Sequence, residues 1–387
     1  MKNNKEFAAI SAGFFVIYSL LSLVNHLNFR TTSWDLGLYN QALYQYAHLQ
    51  IAPNTVDGAP IRLGDHFEIV MILVSPFYYI FGSYTLLIFQ ILMTIFGAVG
   101  IYQYLNIKTN DRWLSLGGVG IFYCFYGLFA AILFDYHSNL IGIMFLPWIL
   151  VSVAKNNTKQ FYIFLALMIL SKEPFALLAF FLGLYIAIFE GKKWRLRGII
   201  TAIIGLLSFW LILSVIIPYF NDYRPYQHWV YGQVGKGPID AVRNVILHPI
   251  SILTIMFNNE LKLTSWAMLG VAGGIVAILN PLAALLFPPL LSIKYLSSET
   301  NHWLYFFQYS VEFAPILAIS VILATRRLPG NLKYIITVLF IFINISLSLS
   351  VPYNDWKRIT DIFKPDFYYN DRTRDLQRAI KMIPPDA

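Results

Sequence analysis

Gly64-Asp65-His66-Phe67-Glu68-Ile69-Val70-Met71-Ile72-Leu73-Val74-Ser75-Pro76-Phe77-Tyr78-Tyr79-Ile80-Phe81-Gly82 sets the topology of the whole chain. The apolar run 66–82 opens on polar residues and contains Pro76, a residue that ends or kinks a helix. If the run crosses a membrane, every later loop changes sides. If it only dips into one leaflet, the N-terminus and the loops 106–112, 155–159, 191–197 and 325–331 share one side. Those loops carry Lys108, Arg112, Lys155, Lys159, Lys192, Lys193, Arg195, Arg197, Arg326 and Arg327. Cytoplasmic loops concentrate Lys and Arg, so the dipping reading is the one the charges favour. It predicts about eleven crossings, the N-terminus inside and the C-terminus outside.

A membrane reading is required by composition. Of 387 residues, 58% are apolar, 17% aromatic and only 12% charged, with mean hydropathy +0.60. Soluble chains carry about twice that charge. A soluble enzyme, a disordered chain and a disulfide scaffold are all excluded. The net charge of +8 follows from basic inner loops. No basic stretch interleaves with stacking aromatics, so nucleic acid is not an expected partner. The single cysteine, Cys124, sits in an apolar run and rules out an intrachain disulfide.

Clear spans are 7–27, 84–105, 113–134, 138–154, 198–220, 305–324 and 332–350. The run from Phe7 to Leu27 is too long for a signal-peptide core and no small-residue cleavage site follows, so it reads as an uncleaved first span. Two further stretches are broken, 160–190 by Ser171-Lys172-Glu173-Pro174 and 264–296 by Asn280-Pro281. Such breaks are tolerated at membrane depth only where they face protein or water. The expected organisation is an all-α transmembrane domain over 1–350, with outer loops 28–65 and 221–262 and a re-entrant or interfacial helix at 66–82. A small outer soluble tail covers 351–387. Trp34 to Leu49 reads as a surface helix, and Asp371 to Ile383 as a helix in the tail. All seven histidines, His26, His48, His66, His137, His228, His248 and His302, fall on the outer side or its boundary in this scheme. Chemistry is therefore expected on the outer face.

Four constellations there could carry it. Asp35 in Trp34-Asp35-Leu36-Gly37 is either a helix cap or a general base at the membrane surface. Arg62, Asp65, His66 and Glu68 crowd four titratable groups against an apolar run, which is costly unless they are paired or bound. Asp135-Tyr136-His137 offers two metal ligands at a tight turn. With Asp65 and His66 they make a candidate site for a divalent ion, magnesium or manganese. Lys172-Glu173 is either a self-neutralising hairpin or a phosphate partner with an orienting acid. Glu312 is the one acid well inside a crossing. It is a functional candidate by default, or a packing partner for Lys172.

Trp34 to Leu43, Gly64-Asp65-His66-Phe67, Lys172-Glu173-Pro174 and Gln308-Tyr309-Ser310-Val311-Glu312-Phe313-Ala314-Pro315 together resemble a family of prokaryotic polytopic membrane proteins of unknown function. That family looks like a distant branch of the GT-C glycosyltransferases, and the resemblance covers nearly the whole chain. It implies a GT-C-like bundle in the plasma membrane that moves a sugar from a polyprenyl-phosphate donor to a glycan, lipid or protein acceptor at the outer face. It further implies Asp35 as catalytic base, with Asp65 as a second acid. Arg62, His66, Lys172, Glu173, Tyr309 and Glu312 are expected to face the substrate. Gln308-Tyr309 stands where members of the family often have His-Tyr. Members also tend to continue beyond a segment like Pro384-Pro385-Asp386-Ala387, which reads as a shortened chain. The rival expectation is a lipid or small-solute transporter. Against it, transporters place ionisable groups near the midplane and often show inverted repeats, and no repeat is visible here. A non-catalytic assembly partner is the third reading.

Overall fold

A computed structural model describes residues 5–56, 61–224, 226–353 and 357–383; the expected end of the chain at Pro384 to Ala387 lies outside them. The described residues are helical with no strand, apart from one isolated bridge between Tyr353 and Lys357. The chain is thus an all-α membrane protein.

Among the described residues, five helical segments are long and apolar enough to cross a bilayer: Lys5–Leu27, Val70–Thr109, Lys192–Phe220, Gln308–Thr325 and Leu332–Ser350. Two bent pairs bring the number to seven. Arg112–Cys124 meets Tyr126–Phe134 at 45°, and Pro238–Leu247 meets Pro249–Phe257 at 104°. The expected eleven crossings are not reached among the described residues by this measure. The reason is that Ser138–Ala154, Thr158–Ile169, Pro174–Phe189 and Pro281–Tyr295 are apolar but short, at or below the roughly 17 residues a crossing needs. The break in 160–190 falls where the sequence placed it, with Pro174 opening the second helix. Asn280 caps Pro281–Tyr295 by accepting from the Leu282 N–H.

The 40 residues of Val70–Thr109 would reach about 60 Å as a straight helix, twice the hydrocarbon thickness. They are not straight. Tight 3₁₀ turns interrupt them at Ser75–Phe77, where Pro76 sits, and at Gly82–Tyr84, where Gly82 has φ +52°. Thr85–Thr109 alone, with 25 residues, is long enough to cross.

Two sets of contacts define the ends of the bundle. At one end His26, near the close of the first helix, meets Ser83 through Nε2 at 2.8 Å, and Thr32 meets Asp135. At the other end Arg112 pairs with Glu6, Lys108 with Glu190 at 2.9 Å, and Arg326 donates to the Lys108 carbonyl. The start of the first helix, the 106–112 and 325–331 loops and Glu190, just before the 191–197 stretch, therefore meet at this end. The first helix runs from the basic end to the other, and Thr85–Thr109 runs back. The chain between Leu27 and Thr85 begins and ends at the same end.

Helices Pro174–Phe189 and Lys192–Leu211 form a close hairpin. A Cβ at Gly183 would lie 2.3 Å from the Ala202 nitrogen, and one at Gly198 would lie 2.4 Å from the Ala187 nitrogen. Small residues let backbones approach in this way where lipid removes the hydrophobic drive to associate.

Two segments differ from a simple loop-and-tail picture. Residues 221–262 contain the bent pair Pro238–Leu247 and Pro249–Phe257, which exposes Ile239, Ile246, Ile250 and Leu253. The tail packs back onto the non-basic end. Asn28 donates to the Phe367 carbonyl at 2.8 Å and accepts from Thr373 at 2.8 Å, and Arg30 donates to the Asp366 carbonyl.

Candidate functional site

The polar groups of the non-basic end converge around Glu68, which is 1% exposed. Its Oε1 accepts from the Tyr39 hydroxyl at 3.1 Å and the Ser138 hydroxyl at 2.5 Å, and Lys172 Nζ lies 3.6 Å away. Its Oε2 accepts from Arg62 Nε at 3.1 Å. Arg62 also reaches Asp65 Oδ2 at 2.5 Å and lies over the Tyr39 ring at 4.2 Å. A planar guanidinium with five donors can satisfy two carboxylates and a ring face at once. The surface helix Leu38–Ala47, the 62–68 turn, the 135–138 turn and the Lys172-Glu173 break thus meet at one carboxylate.

The turn at 62–68 has its shape from Gly64. A Cβ there would stand 2.4 Å from the Phe220 carbonyl oxygen, so only glycine lets the turn lie against the end of the helix that closes at Phe220. This contact brings the following loop over the turn. His228 Nε2 lies 2.5 Å from Asp65 Oδ1, and the His228 ring stacks on His66 with centroids 4.2 Å apart. Glu173 holds the other side. Its Oε1 accepts from His66 Nδ1 at 2.8 Å and from the Tyr226 hydroxyl at 2.9 Å, and its Oε2 accepts from the Phe67 N–H at 3.2 Å. Burial raises the Asp65 pKa, but the charges of His66 and Arg62 and the His228 hydrogen bond override this and hold the carboxyl well below the usual carboxylate range. Burial holds the His66 imidazole below its ordinary value.

Asp35 sits apart from these pairs. It lies inside a wide turn, Ser33–Gly37, ahead of Leu38–Ala47. The residue at the cap position of that helix is Gly37, and no side chain caps it. The capping role that sequence left open is therefore not the one Asp35 plays. Its half-buried carboxylate makes no hydrogen bond or ion pair with a described residue. Burial, then the neighbouring Asp135 charge, raises its pKa to about 6, against opposing Lys172 and Arg62. A carboxyl tuned to that range is suited to proton transfer near neutral pH.

The remaining candidates have other partners. Asp135 accepts from the Thr32 N–H at 2.8 Å and the Thr32 hydroxyl at 2.9 Å, with Lys357 of the tail 3.5 Å away. His137 is buried and its Nε2 has no partner among the described residues. Neither joins Asp65 and His66. The group of metal-capable side chains there is completed by His228 instead. Glu312 is paired with Lys294 at 2.7 Å and accepts from Asn139 at 2.6 Å, so its packing partner is Lys294 and not Lys172. Tyr309 stacks edge-on with His302 at 4.6 Å, and its carbonyl accepts from Lys294.

Sequence reading counted Glu68 among four crowded titratable groups without giving it a role, and passed over His228 and Lys294 as site members. Glu68 stood within the quoted motif. His228 follows Tyr226-Gln227 in a long loop, and Lys294 closes an apolar helix. Neither of these two has a local signal for its partner.

No curated protein and no solved structure matches the chain. A family model does match, over residues 25–387, and by that match the chain belongs to the family described as a predicted membrane protein, DUF2079.

Proposed function

We propose that the protein is a GT-C-type glycosyltransferase of the plasma membrane that takes a sugar from a polyprenyl-phosphate donor at the outer face, with Asp35 as general base. The observation that carries this reading is the half-buried Asp35 carboxylate, which has no hydrogen bond or ion pair among the described residues and lies in the fields of Asp135 and Lys172. Transfer to a hydroxyl requires a group that accepts the acceptor's proton as the glycosidic bond forms, and the leaving phosphate requires a cation. Lys172 is buried, and its nearest acid, Glu68, is shared with Arg62. Its ammonium is the point charge that would meet the donor phosphate. Arg62 and Glu173 position this cation and the turn around it.

The sidedness follows from the basic end. If its clustered Lys and Arg mark the cytoplasm, the Asp35 end faces outward and the 66–82 segment dips into the outer leaflet without crossing. The exposed apolar residues of Pro238–Phe257 then lie in the same leaflet, beside a prenyl chain.

The test uses purified full-length protein in liposomes supplied with a radiolabelled polyprenyl-phosphate sugar and a panel of hydroxyl acceptors. Sugar transfer that is lost in Asp35→Asn supports the reading. Movement of the labelled lipid between leaflets with no transfer, and with no dependence on Asp35, would replace it by the transporter reading.

A further inference from the structure

The contacts of Asp65 and His66 have a third participant that comes from 162 or more positions away. One ligand atom from each of Asp65, His66 and His228 lies within 4.8 Å of the others. From these three side chains we infer a transition-metal site, and from its chemistry we assign it to Zn²⁺. The inference does not depend on sugar transfer.

The donor set is two imidazoles and one carboxylate. Imidazole nitrogen suits zinc and its neighbours, whereas magnesium and manganese prefer all-oxygen shells. Three protein ligands with a fourth position open to water or substrate is the usual catalytic zinc arrangement. The His228 side chain is 39% exposed, so the fourth position opens toward the surface. Donors around a tetrahedral zinc ion stand about 3.3 Å apart for bonds of about 2.0–2.1 Å.

The surroundings match what such ligands need. A metal-bound histidine donates its other ring N–H to a carboxylate, which fixes the ring and raises its basicity. His66 Nδ1 does this to Glu173 Oε1 at 2.8 Å, leaving Nε2 for the ion. Asp65 is oriented in the same way, because Arg62 occupies Oδ2 at 2.5 Å and leaves Oδ1 toward His228. Glu173 is itself fixed by the Phe67 N–H and the Tyr226 hydroxyl. The ion would sit between His228 Nε2 and Asp65 Oδ1, taking the place of their direct hydrogen bond. The resulting ligands differ from the sequence expectation, which grouped Asp65 and His66 with Asp135 and His137.

The test is equilibrium dialysis of chelator-stripped, full-length protein against Zn²⁺, with metal content read by mass spectrometry. We expect one tightly held zinc per chain, retained in a hundredfold excess of Mg²⁺. Both His228→Ala and His66→Ala should lose it, while His137→Ala should keep it. His228 lies on a partly exposed loop, so its variant tests the site even where His66→Ala fails to fold. Failure of wild-type protein to retain zinc would overturn the site, as would full retention by folded His228→Ala or displacement of the ion by Mg²⁺. Because metal content is read directly, none of these outcomes bears on whether sugar is transferred.

Discussion

Glu173 Oε1 accepts a hydrogen bond from His66 Nδ1 at 2.8 Å, joining a helix break to a turn 107 positions earlier in the chain. The same carboxylate accepts from the Phe67 N–H and the Tyr226 hydroxyl. Glu173 is thus the common acceptor for two segments that have no sequence relation to it. Glu173→Gln replaces one acceptor oxygen with a donor that faces donors. An amide nitrogen at the Oε2 position leaves the Phe67 N–H without its acceptor, one at the Oε1 position leaves His66 and Tyr226 without theirs, and leaving a buried group unpaired costs about 1–3 kcal/mol. Thermal unfolding in detergent should show a loss of that size. An unchanged midpoint would mean that water or another group replaces the carboxylate without cost.

Arg62 supports a second prediction. It serves Glu68, Asp65 and the Tyr39 ring simultaneously, with its side chain 5% exposed. Lysine keeps the charge but not the planar fork. Arg62→Lys should leave one buried carboxylate without its partner, destabilising the protein by about 3–5 kcal/mol, the range for breaking a buried pair. Denaturant titration of the folded fraction reads this, and a loss below about 1 kcal/mol would show that Lys172 can take over Glu68.

Gly64→Ala tests the close approach at the head of the motif. The added methyl would stand 2.4 Å from the Phe220 carbonyl oxygen, and a backbone atom cannot move aside as a flexible side chain can. Over-packing of this kind costs about 1–3 kcal/mol. Because the displaced contact carries the 221–228 segment, limited proteolysis should also cut that segment faster. Wild-type proteolysis kinetics would show that Gly64 is not what seats the loop.

Sidedness is read by labelling. Cys124 is buried, so added cysteines report cleanly once it is replaced by Ser. A cysteine in the Lys192–Arg197 stretch, which the sequence reads as a loop and the structure shows as the first turns of helix Lys192–Leu211, should label only from the cytoplasm, and one at Gln233 only from outside. Labelling of both from one side would reverse the topology and the outer-face reading with it.

How much of this was legible in the sequence depends on the distance over which each signal acts. The helical class, the break at Lys172-Glu173-Pro174 and the grouping of basic loops follow from local composition and from proline, and all three have counterparts in the structure. Asp65, His66 and Lys172 stood out because a charge beside an apolar run is costly without a partner. What that partner is does not follow. Asp65 meets His228 across 163 positions and Glu312 meets Lys294 across 18, and both pairings are set by how helices pack rather than by any nearby residue. The expected eleven crossings are not confirmed for a related reason. Mean hydropathy counts apolar residues, but Ser171 to Pro174 and Asn280-Pro281 cut apolar stretches into helices too short to span alone.

Asp35 gives the sharpest test, because one substitution should move stability and turnover in opposite directions. A capping aspartate loses little on replacement by Asn, which caps about as well, and gains nothing. Burial and then the Asp135 charge instead push the carboxyl up from its ordinary 3.8 to about 6. A raised acid pKa means that the folded state favours the protonated form. The benefit is present below about pH 4 and is lost as pH rises through 6, so at pH 7 the ionised group weakens the fold. Asp35→Asn should therefore be as stable as wild type or more stable at neutral pH. A gain of about 1–2 kcal/mol is expected once the shift is discounted for partial exposure. The advantage should vanish toward pH 4. Sugar transfer should move the other way. Asn cannot accept a proton, so turnover should fall by about 10²–10⁴-fold. Wild-type turnover should drop about tenfold for each pH unit below 6 and level off above it. A variant that is stabilised but still transfers sugar normally would leave Asp35 a strained acid with no part in the reaction, and the base would have to be sought elsewhere.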